Sequence, residues 1–199
     1  ARYFRHYLQR QGYLCVHLLG TSQPLPRLML SELSNYDATL THCGDLNATV
    51  KNIENLVQRL GVELCEILAG VEPGVLLADI LSHHFALHNN GVEKSLARRD
   101  KSKMAEVLAA AGIPIPRYRR VVHLEDALAF ARQQQWPLVL KPLDSAGTNG
   151  VHFCYAEQDL VQAFHQVIGV ENNMGTVNQA LLLQTFLQGK EYFINTVSY

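Results

Sequence analysis

The sequence lacks a strong excess of charge, a long hydrophobic run and a signal-peptide pattern. Its 199 residues include 17 Lys and Arg against 18 Asp and Glu, a formal net charge of −1, so it shows neither the basic footprint of a nucleic-acid-binding protein nor an acidic tail. No apolar stretch approaches the roughly 20 residues that span a bilayer, and the N-terminus has no signal-peptide pattern. We therefore expect a cytoplasmic globular protein whose partners are neither nucleic acids nor membranes.

Paired cysteines and a histidine metal motif are also missing. The four cysteines stand alone in apolar surroundings, at positions 15, 43, 65 and 154, a pattern typical of reduced core residues and not of zinc ligands. Only His84 and His88 of the histidine-rich stretch would share a helix face, and the glutamate that an H-E-x-x-H motif needs between them is absent. We predict no metal site within these 199 residues.

The first 90 residues alternate strand-like and helix-like segments, and no G-x-G-x-x-G dinucleotide fingerprint occurs anywhere in the sequence. Apolar residues at 46, 50, 53, 57 and 60 make one helical stripe that ends at Gly61. We predict helices over 1–11, 46–60 and 75–87 and strands over 13–19, 37–41 and 62–69. This alternation indicates a parallel α/β domain, and we expect a strand before the first helix to be missing from it.

The second half of the chain has the pattern of an α+β unit. We predict strands over 118–122, 138–141, 151–155, 181–187 and 192–197, and helices over 100–112, 124–134 and 158–167. The polar stretch 171–178 has no apolar face to bury, so we expect a mobile connection there.

The stretch 136–151, W-P-L-V-L-K-P-L-D-S-A-G-T-N-G-V, places a lysine at the end of a buried strand. An ammonium group buried without a partner is strongly disfavoured or loses its proton, so Lys141 needs an anion. The small polar residues 144–150 that follow can direct backbone N–H groups and hydroxyls toward one point, as loops that cradle phosphate do. We therefore predict a phosphate site made by Lys141 and this loop.

Lys101 is a second candidate cation for such a site. Asp100 can cap the helix over 100–112, which puts Lys101 in the first turn, the unfavourable end of a helix for a positive charge unless an anion binds there. Its spacing from Met104 and Leu108 puts it on the apolar face of the helix. The alternative is a surface lysine whose charged end extends into solvent.

Glu72 follows the third predicted strand in the run A-G-V-E-P-G, at the sheet edge where open α/β sheets bind ligands. We predict a substrate contact for this carboxylate. The alternative is a carboxylate that only stabilises the N-terminus of the next helix.

Four segments in sequence order resemble the ATP-grasp superfamily of carboxylate-amine ligases. They are D-K-x-x-M at 100–104, A-G-I-P-x-P at 111–116, P-L-V-L-K-P-x-D-x-x-G-T-x-G-V at 137–151 and L-Q-x-F-L-x-G-x-E-Y at 183–192. The runs at 69–79 and 98–101 are similar to the amino-acid ligases of that superfamily, such as the dapdiamide, bacilysin and carnosine synthetases. The resemblance implies an α/β fold in which a pre-ATP-grasp parallel α/β domain precedes the α+β small lobe of an ATP-grasp fold, truncated at the start of the large lobe.

In family terms, the chain divides into four parts. These are a pre-ATP-grasp domain at 1–90, a linker and helix at 91–116, the small or lid subdomain at 117–187 and the first strand of an incomplete large subdomain at 188–199.

The resemblance also implies which residues bind the cofactor ATP: Lys101, Lys141, Ser145, Gly147, Thr148, Asn149, Gly150, Gln184, Thr185, Phe186, Leu187 and Glu191. The two lysines would hold the α- and β-phosphates, and the loop over 145–150 would close over the β- and γ-phosphates. Leu187 and the backbone at Thr185 would hydrogen-bond adenine, and Glu191 would accept from the ribose hydroxyls.

The implied reaction activates a small carboxylate, such as an amino acid, as an acylphosphate, and an amine then attacks to give an amide, ADP and phosphate. Many relatives have a glutamate where this sequence has Gln184 and Thr185, which weakens an expected contact to the adenine amino group. The Mg²⁺ ligands of the family, a Glu and an N-x-N or D-x-N pattern, are expected beyond residue 199. The resemblance therefore implies ATP binding and no turnover by this chain alone.

Two other functions share these motifs: a non-catalytic nucleotide-binding or regulatory module, and a different ATP-grasp reaction of the carboxylase or acyl-CoA ligase type. A glutamate and an N-x-N pattern downstream of residue 199 would favour the ligase over the regulatory module. The predicted last strand, 192–197, is apolar on both faces, and an open strand edge of this kind pairs with another molecule. We expect self-association, with a homodimer as its simplest form.

Overall fold

The chain divides into two compact units between Arg99 and Asp100. The computed structural model describes residues 2–20, 33–145, 147–192 and 194. Within these ranges, no helix has both the length and the apolar character that crossing a bilayer requires.

The first unit combines a pair of parallel strands with helices. Its described elements are α1 (Arg2–Arg10), β1 (Val16–Leu19), β2 (Ala38–Thr41), α2 (Leu46–Leu60) and α3 (Val75–His84), with 3-10 turns at Glu72–Gly74 and Leu96–Arg98. Strands β1 and β2 pair in parallel, with Val16 opposite Ala38. The predicted parallel α/β character is thus confirmed for this unit.

Helix α2 is the longest described helix of the first unit and forms over the predicted residues. Asp45 Oδ1 accepts a hydrogen bond from Ala48 N at 3.1 Å, a cap that typically stabilises a helix by about 1 kcal/mol. Gly61 ends the helix in the left-handed conformation, at φ 64°. The buried side chains of Val50 and Ile53 pack with Leu81 of α3, so the stripe forms the core.

The strand predicted over 62–69 is wrong, because these residues are all described and have no strand assignment. Leu64 and Ile67 pack against the α2–α3 core instead. The Ile67 carbonyl accepts a hydrogen bond from Ser82 Oγ of α3 at 3.2 Å. The apolar residues of this stretch thus serve helix packing, which a local apolar pattern cannot distinguish from strand pairing.

The prediction that all four cysteines lie in the core holds only for Cys154, which is fully buried. Cys15 is half-buried, and Cys43 and Cys65 are exposed. Cys43 lies between β2 and α2, and Cys65 lies in the segment that forms no strand, so neither has a sheet to cover it. All four are free thiols, and burial raises the pKa of Cys154 to about 11, with a smaller contribution from Asp159.

The second unit is built on a four-stranded antiparallel sheet in the order β3-β6-β4-β5. Its described elements are α4 (Lys101–Ala110), β3 (Tyr118–Val121), α5 (Leu124–Ala131), β4 (Leu138–Pro142), β5 (His152–Cys154), α6 (Glu157–Val167) and β6 (Leu181–Thr185). Each helix and strand predicted between residues 100 and 187 is present, with small shifts at its ends. The α+β prediction is therefore confirmed here.

Helices α5 and α6 pack on one face of this sheet. The buried core contains Val121, Ala127, Phe130, Ala131, Leu138, Leu140, Cys154, Leu160, Ala163, Phe164, Val167, Leu181 and Leu183. Burying one leucine of this core fully is worth about 1.5 to 3 kcal/mol. Because side chains alternate along a strand, the core positions on β4 and β6 leave Val139, Lys141, Leu182 and Gln184 on the opposite face of the sheet.

The stretch 171–178, for which a mobile connection was expected, forms a hairpin. Glu171 and Val177 form an isolated antiparallel bridge, and the side chains of Asn172 and Asn178 are buried, with 8% and 7% of their surface exposed. Hydrogen bonds between buried amides replace the missing apolar face, as buried polar groups require.

The strand predicted over 192–197 falls mostly outside the described residues. Tyr192 and Ile194 are described, and both are exposed and without strand assignment. The double-sided apolar pattern of that stretch therefore stays a prediction.

Gly147 and Gly150, in the loop between β4 and β5, differ in how much free space surrounds them. Both have a left-handed backbone, with φ 70° at Gly150 and 63° at Gly147. A Cβ atom at Gly150 would lie 2.8 Å from Pro142 Cγ, whereas a Cβ atom at Gly147 would meet nothing within 4 Å. We expect Gly150→Ala to lower the free energy of unfolding by about 2 to 4 kcal/mol and Gly147→Ala by about 1 to 2 kcal/mol. Urea unfolding measures both, and equal losses would contradict the close approach to Pro142.

Candidate functional site

Lys141 lies near the end of β4, on the sheet face opposite α5 and α6. Its Cα partner on β6 is Leu182, and Leu182 in turn faces Arg120 of β3. The lysine side chain is half-buried. The sheet therefore holds this ammonium group on a surface where its neighbour on β6 is a buried leucine.

A second row of side chains crosses the same face of the sheet beside Lys141. Val139 pairs with Gln184 on one side and with Phe153 on the other, and Gln184 pairs with Tyr118 of β3. The rings of Phe153 and Phe186 meet edge to face, with centroids 5.8 Å apart. This row gives the charged end of the sheet an adjoining apolar and aromatic surface.

Most of this row was missed by reasoning from the sequence. Val139 could have been found, because it lies two residues before Lys141 and so shares its side of the strand. Tyr118 and Phe153 could not have been found from the sequence, because their position in this row depends on the strand order, which no local pattern specifies.

Lys101 reaches the loop that follows β4. Its Nζ donates hydrogen bonds to the carbonyl oxygens of Leu143 at 3.3 Å and Ser145 at 3.0 Å, and its backbone N donates to Leu143 O at 3.1 Å. Asp100 caps α4 as predicted, accepting from the backbone N of Ser102 and of Lys103. The half-buried Lys101 thus points toward the loop, as its spacing predicts, although Met104 on the same helix is 44% exposed.

The positive charge of Lys101 acts on Lys141. Burial lowers the pKa of the Lys141 ammonium group, and the positive charge of Lys101 lowers it further. No carboxylate of the described residues forms an ion pair with Lys141. An anion placed between the lysines would reverse both effects, because an opposite charge favours the charged form of each.

The loop 144–150 presents backbone donors beside these cations. Gly147 and Thr148 are both left-handed, with φ 63° and 62°, and the Ser145 hydroxyl donates to Asn149 O at 3.1 Å. No described residue accepts a hydrogen bond from the backbone N–H groups of Gly147, Thr148, Asn149 or Gly150. Successive N–H groups in such turns form concave anion sites. Ala146 lies outside the described residues.

The other residues implied to bind a nucleotide lie along and after β6. Gln184 is half-buried beside Val139. The Thr185 N–H donates to Arg117 O at 2.9 Å and the Phe186 N–H to Pro137 O at 3.3 Å, so these two donors are not available to a base in this structure. Leu187 and Glu191 follow the strand and are exposed. The structure thus gathers Lys101 and the loop next to β4, and leaves Leu187 and Glu191 on a separate exposed segment.

Glu72 has a partner within the first unit. Its carboxylate forms an ion pair with Arg99, whose side chain is 7% exposed, while that of Glu72 is 60% exposed. Nearby along the chain, Arg98 pairs with Asp79 at 2.6 Å. Removing Glu72 would leave the buried Arg99 without this carboxylate, which gives Glu72 a structural role whatever it binds.

These residues fit a polyphosphate and offer less to a metal ion. Two lysines and a run of N–H donors match the charge and the acceptor oxygens of phosphate groups. Across the described ranges, no group of three or more His, Cys, Asp or Glu side chains is suited to hold a metal ion.

The fit to phosphate predicts opposite effects of one substitution on stability and on binding. Lys141→Met removes a charge that burial and Lys101 disfavour, so we expect the free protein to melt at a higher temperature than wild type. The gain should shrink as the pH rises toward about 10.4, the ordinary lysine pKa, because wild-type Lys141 then becomes neutral and its cost disappears. Added tripolyphosphate should stabilise the wild-type protein and should not stabilise the Lys141→Met variant.

The control is Lys103→Met, at an exposed position paired with Glu106, which should still be stabilised by tripolyphosphate. A destabilised Lys141→Met protein that still responds to tripolyphosphate would contradict this interpretation.

Comparisons with known proteins agree with this geometry. Residues 99–198 match the family model of the phosphoribosylglycinamide synthetase ATP-grasp (A) domain. Dapdiamide A synthase from Enterobacter agglomerans is 34% identical over 197 residues, which make up 96% of this chain and 44% of that protein.

Two solved structures are similar in fold, each at 15% sequence identity. The L-amino acid ligase from Bacillus licheniformis has a TM-score of 0.67 over 94% of this chain and 42% of its own. The ADP complex of N5-carboxyaminoimidazole ribonucleotide synthetase has a TM-score of 0.65 over 94% of this chain and 44% of its own. The chain therefore spans less than half the length of these relatives. Since the family model covers half of the chain and includes both lysines and the loop between β4 and β5, the chain belongs to the ATP-grasp family.

Proposed function

We propose that this chain is the ATP-binding part of a carboxylate-amine ligase whose carboxylate substrate is an amino acid. The observation that carries the proposal is the lysine pair, Lys101 and Lys141, beside a loop whose N–H groups have no acceptor among the described residues. The similarity to dapdiamide A synthase supports this class of reaction, and the L-amino acid ligase from Bacillus licheniformis shares the fold.

The two lysines and the loop would hold the phosphates. When bound, ATP would supply the phosphoryl group that activates the carboxylate, and an amine would then displace phosphate to give the amide. Transfer of this kind depends mostly on positioning and on neutralising charge. Lys141 would contribute a charge-assisted contact worth about 1.5 to 3 kcal/mol. The part of the loop that contains Ser145, Thr148 and Asn149 would close over the terminal phosphates.

The nucleoside would lie on the adjoining row of the sheet. Val139 and the edge-to-face pair of Phe153 and Phe186 provide an apolar surface for a flat base. Gln184 offers both a donor and an acceptor beside this surface. Leu187 is left as the backbone contact to adenine, because the N–H groups of Thr185 and Phe186 are used within the sheet, and Glu191 would accept from the ribose.

The amino-acid substrate and Mg²⁺ would be held by groups outside the lysine pair and its loop. Glu72 would contact the amino-acid substrate, with Arg99 holding its carboxylate in place. Mg²⁺ would be bound by groups outside these 199 residues. The small lobe would comprise 117–187, with 1–90 as the pre-ATP-grasp domain and 188–199 as the first strand of the large lobe.

Calorimetry with two lysine variants tests nucleotide binding. We expect Lys141→Ala to raise the Kd for ATP at least about tenfold, because it removes a charged contact to phosphate. Lys103→Ala, on the same helix as Lys101 but exposed and paired with Glu106, should leave the Kd within about twofold of wild type. Unchanged affinity for ATP in Lys141→Ala, with both variants folded, would contradict the proposal that Lys141 contacts a phosphate of ATP.

Turnover of the complete gene product distinguishes a ligase from a binding module. We expect ADP release with ATP and Mg²⁺ to require both an amino acid and an amine, and mass spectrometry to detect the amide. ATP binding without substrate-dependent ADP release would favour the non-catalytic module.

A further inference from the structure

Two buried amides connect the loop 144–150 to the rest of the second unit. Asn172 and Asn178 stand at the two ends of the hairpin 171–178, and Asn172 Nδ2 donates to Asn178 Oδ1 at 2.9 Å. Asn178 Nδ2 donates to Val167 O, at the end of α6, at 3.1 Å. Asn172 Nδ2 also donates to Asp144 O, at the start of the loop, at 2.6 Å. A continuous chain of hydrogen bonds therefore runs from α6 to the loop.

The hydrogen-bonding capacity of Asn172 is fully used. While its Nδ2 group donates to Asp144 O and Asn178 Oδ1, its Oδ1 atom accepts from Met174 N at 2.9 Å and from Thr176 N at 3.4 Å. Two donors and an acceptor with two lone pairs on one short side chain occur only in asparagine. Aspartate would keep the shape and lose both donors, leaving a buried carboxylate against two oxygen atoms.

The hairpin holds the other end of the loop as well. Asn173 N donates to Asn149 Oδ1 at 3.2 Å, so the hairpin contacts the loop at both Asp144 and Asn149. On another side, Lys101 Nζ binds the carbonyl groups of Leu143 and Ser145. These contacts take up carbonyl and side-chain groups of the loop and leave the N–H groups of 147–150 without a described acceptor.

We propose that Asn172 is a positioning residue for the loop that binds the phosphates. The proposal rests on the proposed function, since it assumes that the loop receives the phosphates of ATP. Among the described residues of the loop, Asn172 hydrogen-bonds to Asp144 O, so it would act on the nucleotide through the loop. Its removal should weaken contacts to the phosphates while leaving those to the base and ribose, which would be made by Val139, Phe153 and residues on and after β6.

The test compares ligands with and without phosphates on the complete gene product. We expect Asn172→Ala and Asn172→Asp to raise the Kd for ATP about tenfold, by loss of an ordered phosphate loop, and to leave the Kd for adenosine within about twofold. Thr176→Ala is the matched control, because Thr176 belongs to the same hairpin, is exposed, and keeps the backbone N–H that Asn172 accepts. It should leave both Kd values unchanged.

Equal weakening of ATP and adenosine would show a general structural role, and unchanged ATP affinity in folded Asn172 variants would show no role; either result overturns the proposal. A wild-type protein without affinity for ATP would instead remove the proposed function, and this assignment with it.

Hydrogen exchange on the wild-type protein answers the same question if the Asn172 variants fail to fold. We expect ATP to slow exchange at the amides of Met174 and Thr176, which bind Asn172 Oδ1, because an ordered loop holds the Asn172 side chain in place. Unchanged exchange at both amides, with ATP bound, would contradict the coupling.

Discussion

The positive charge of Lys141 on the face of a β-sheet is the constraint on which the candidate site depends. Burial and the neighbouring Lys101 both disfavour the charged form, yet helices and strands of this unit converge to hold the two lysines near one loop. Charged groups kept in unfavourable surroundings are typical of functional sites, where a ligand offsets their cost. The stability lost at Lys141 in the free protein therefore becomes part of the affinity for an anion.

The loop that complements these lysines is supported from three directions. Gly150 lies so close to Pro142 that no side chain fits between them, Lys101 binds carbonyl groups near the start of the loop, and the hairpin binds Asp144 and Asn149. Supports of this kind shape a flexible backbone before the ligand arrives, which lowers the entropy lost on binding. The conformation of this loop thus depends both on its own glycines and on contacts from residues far away in the sequence.

Features that depend on interactions between residues close in sequence are the ones that the sequence predicts best. The cap at Asp100, the helix end at Gly61 and the strand that ends near Lys141 follow from local patterns, and the structure contains all of them. The stretch 62–69 looks like a strand because its apolar residues do not reveal whether they will pack on helices or on another strand. Asn172 looks like part of a polar linker, because its partners Asp144 and Asn178 meet only in the folded unit. Pairing between Val139 and Phe153 likewise requires the strand order.

The strand order has a consequence for how this unit is made. β6 lies between β3 and β4, although it is the last of the four strands along the chain. On the ribosome, β4 and β5 can pair soon after both emerge, while β3 waits for residues 181–185. Lys141 and Leu182 become neighbours only then, so the ligand-binding face is completed late in synthesis. Until that point the nascent chain exposes an unpaired edge on β4, the kind of surface that chaperones cover and that other chains can join.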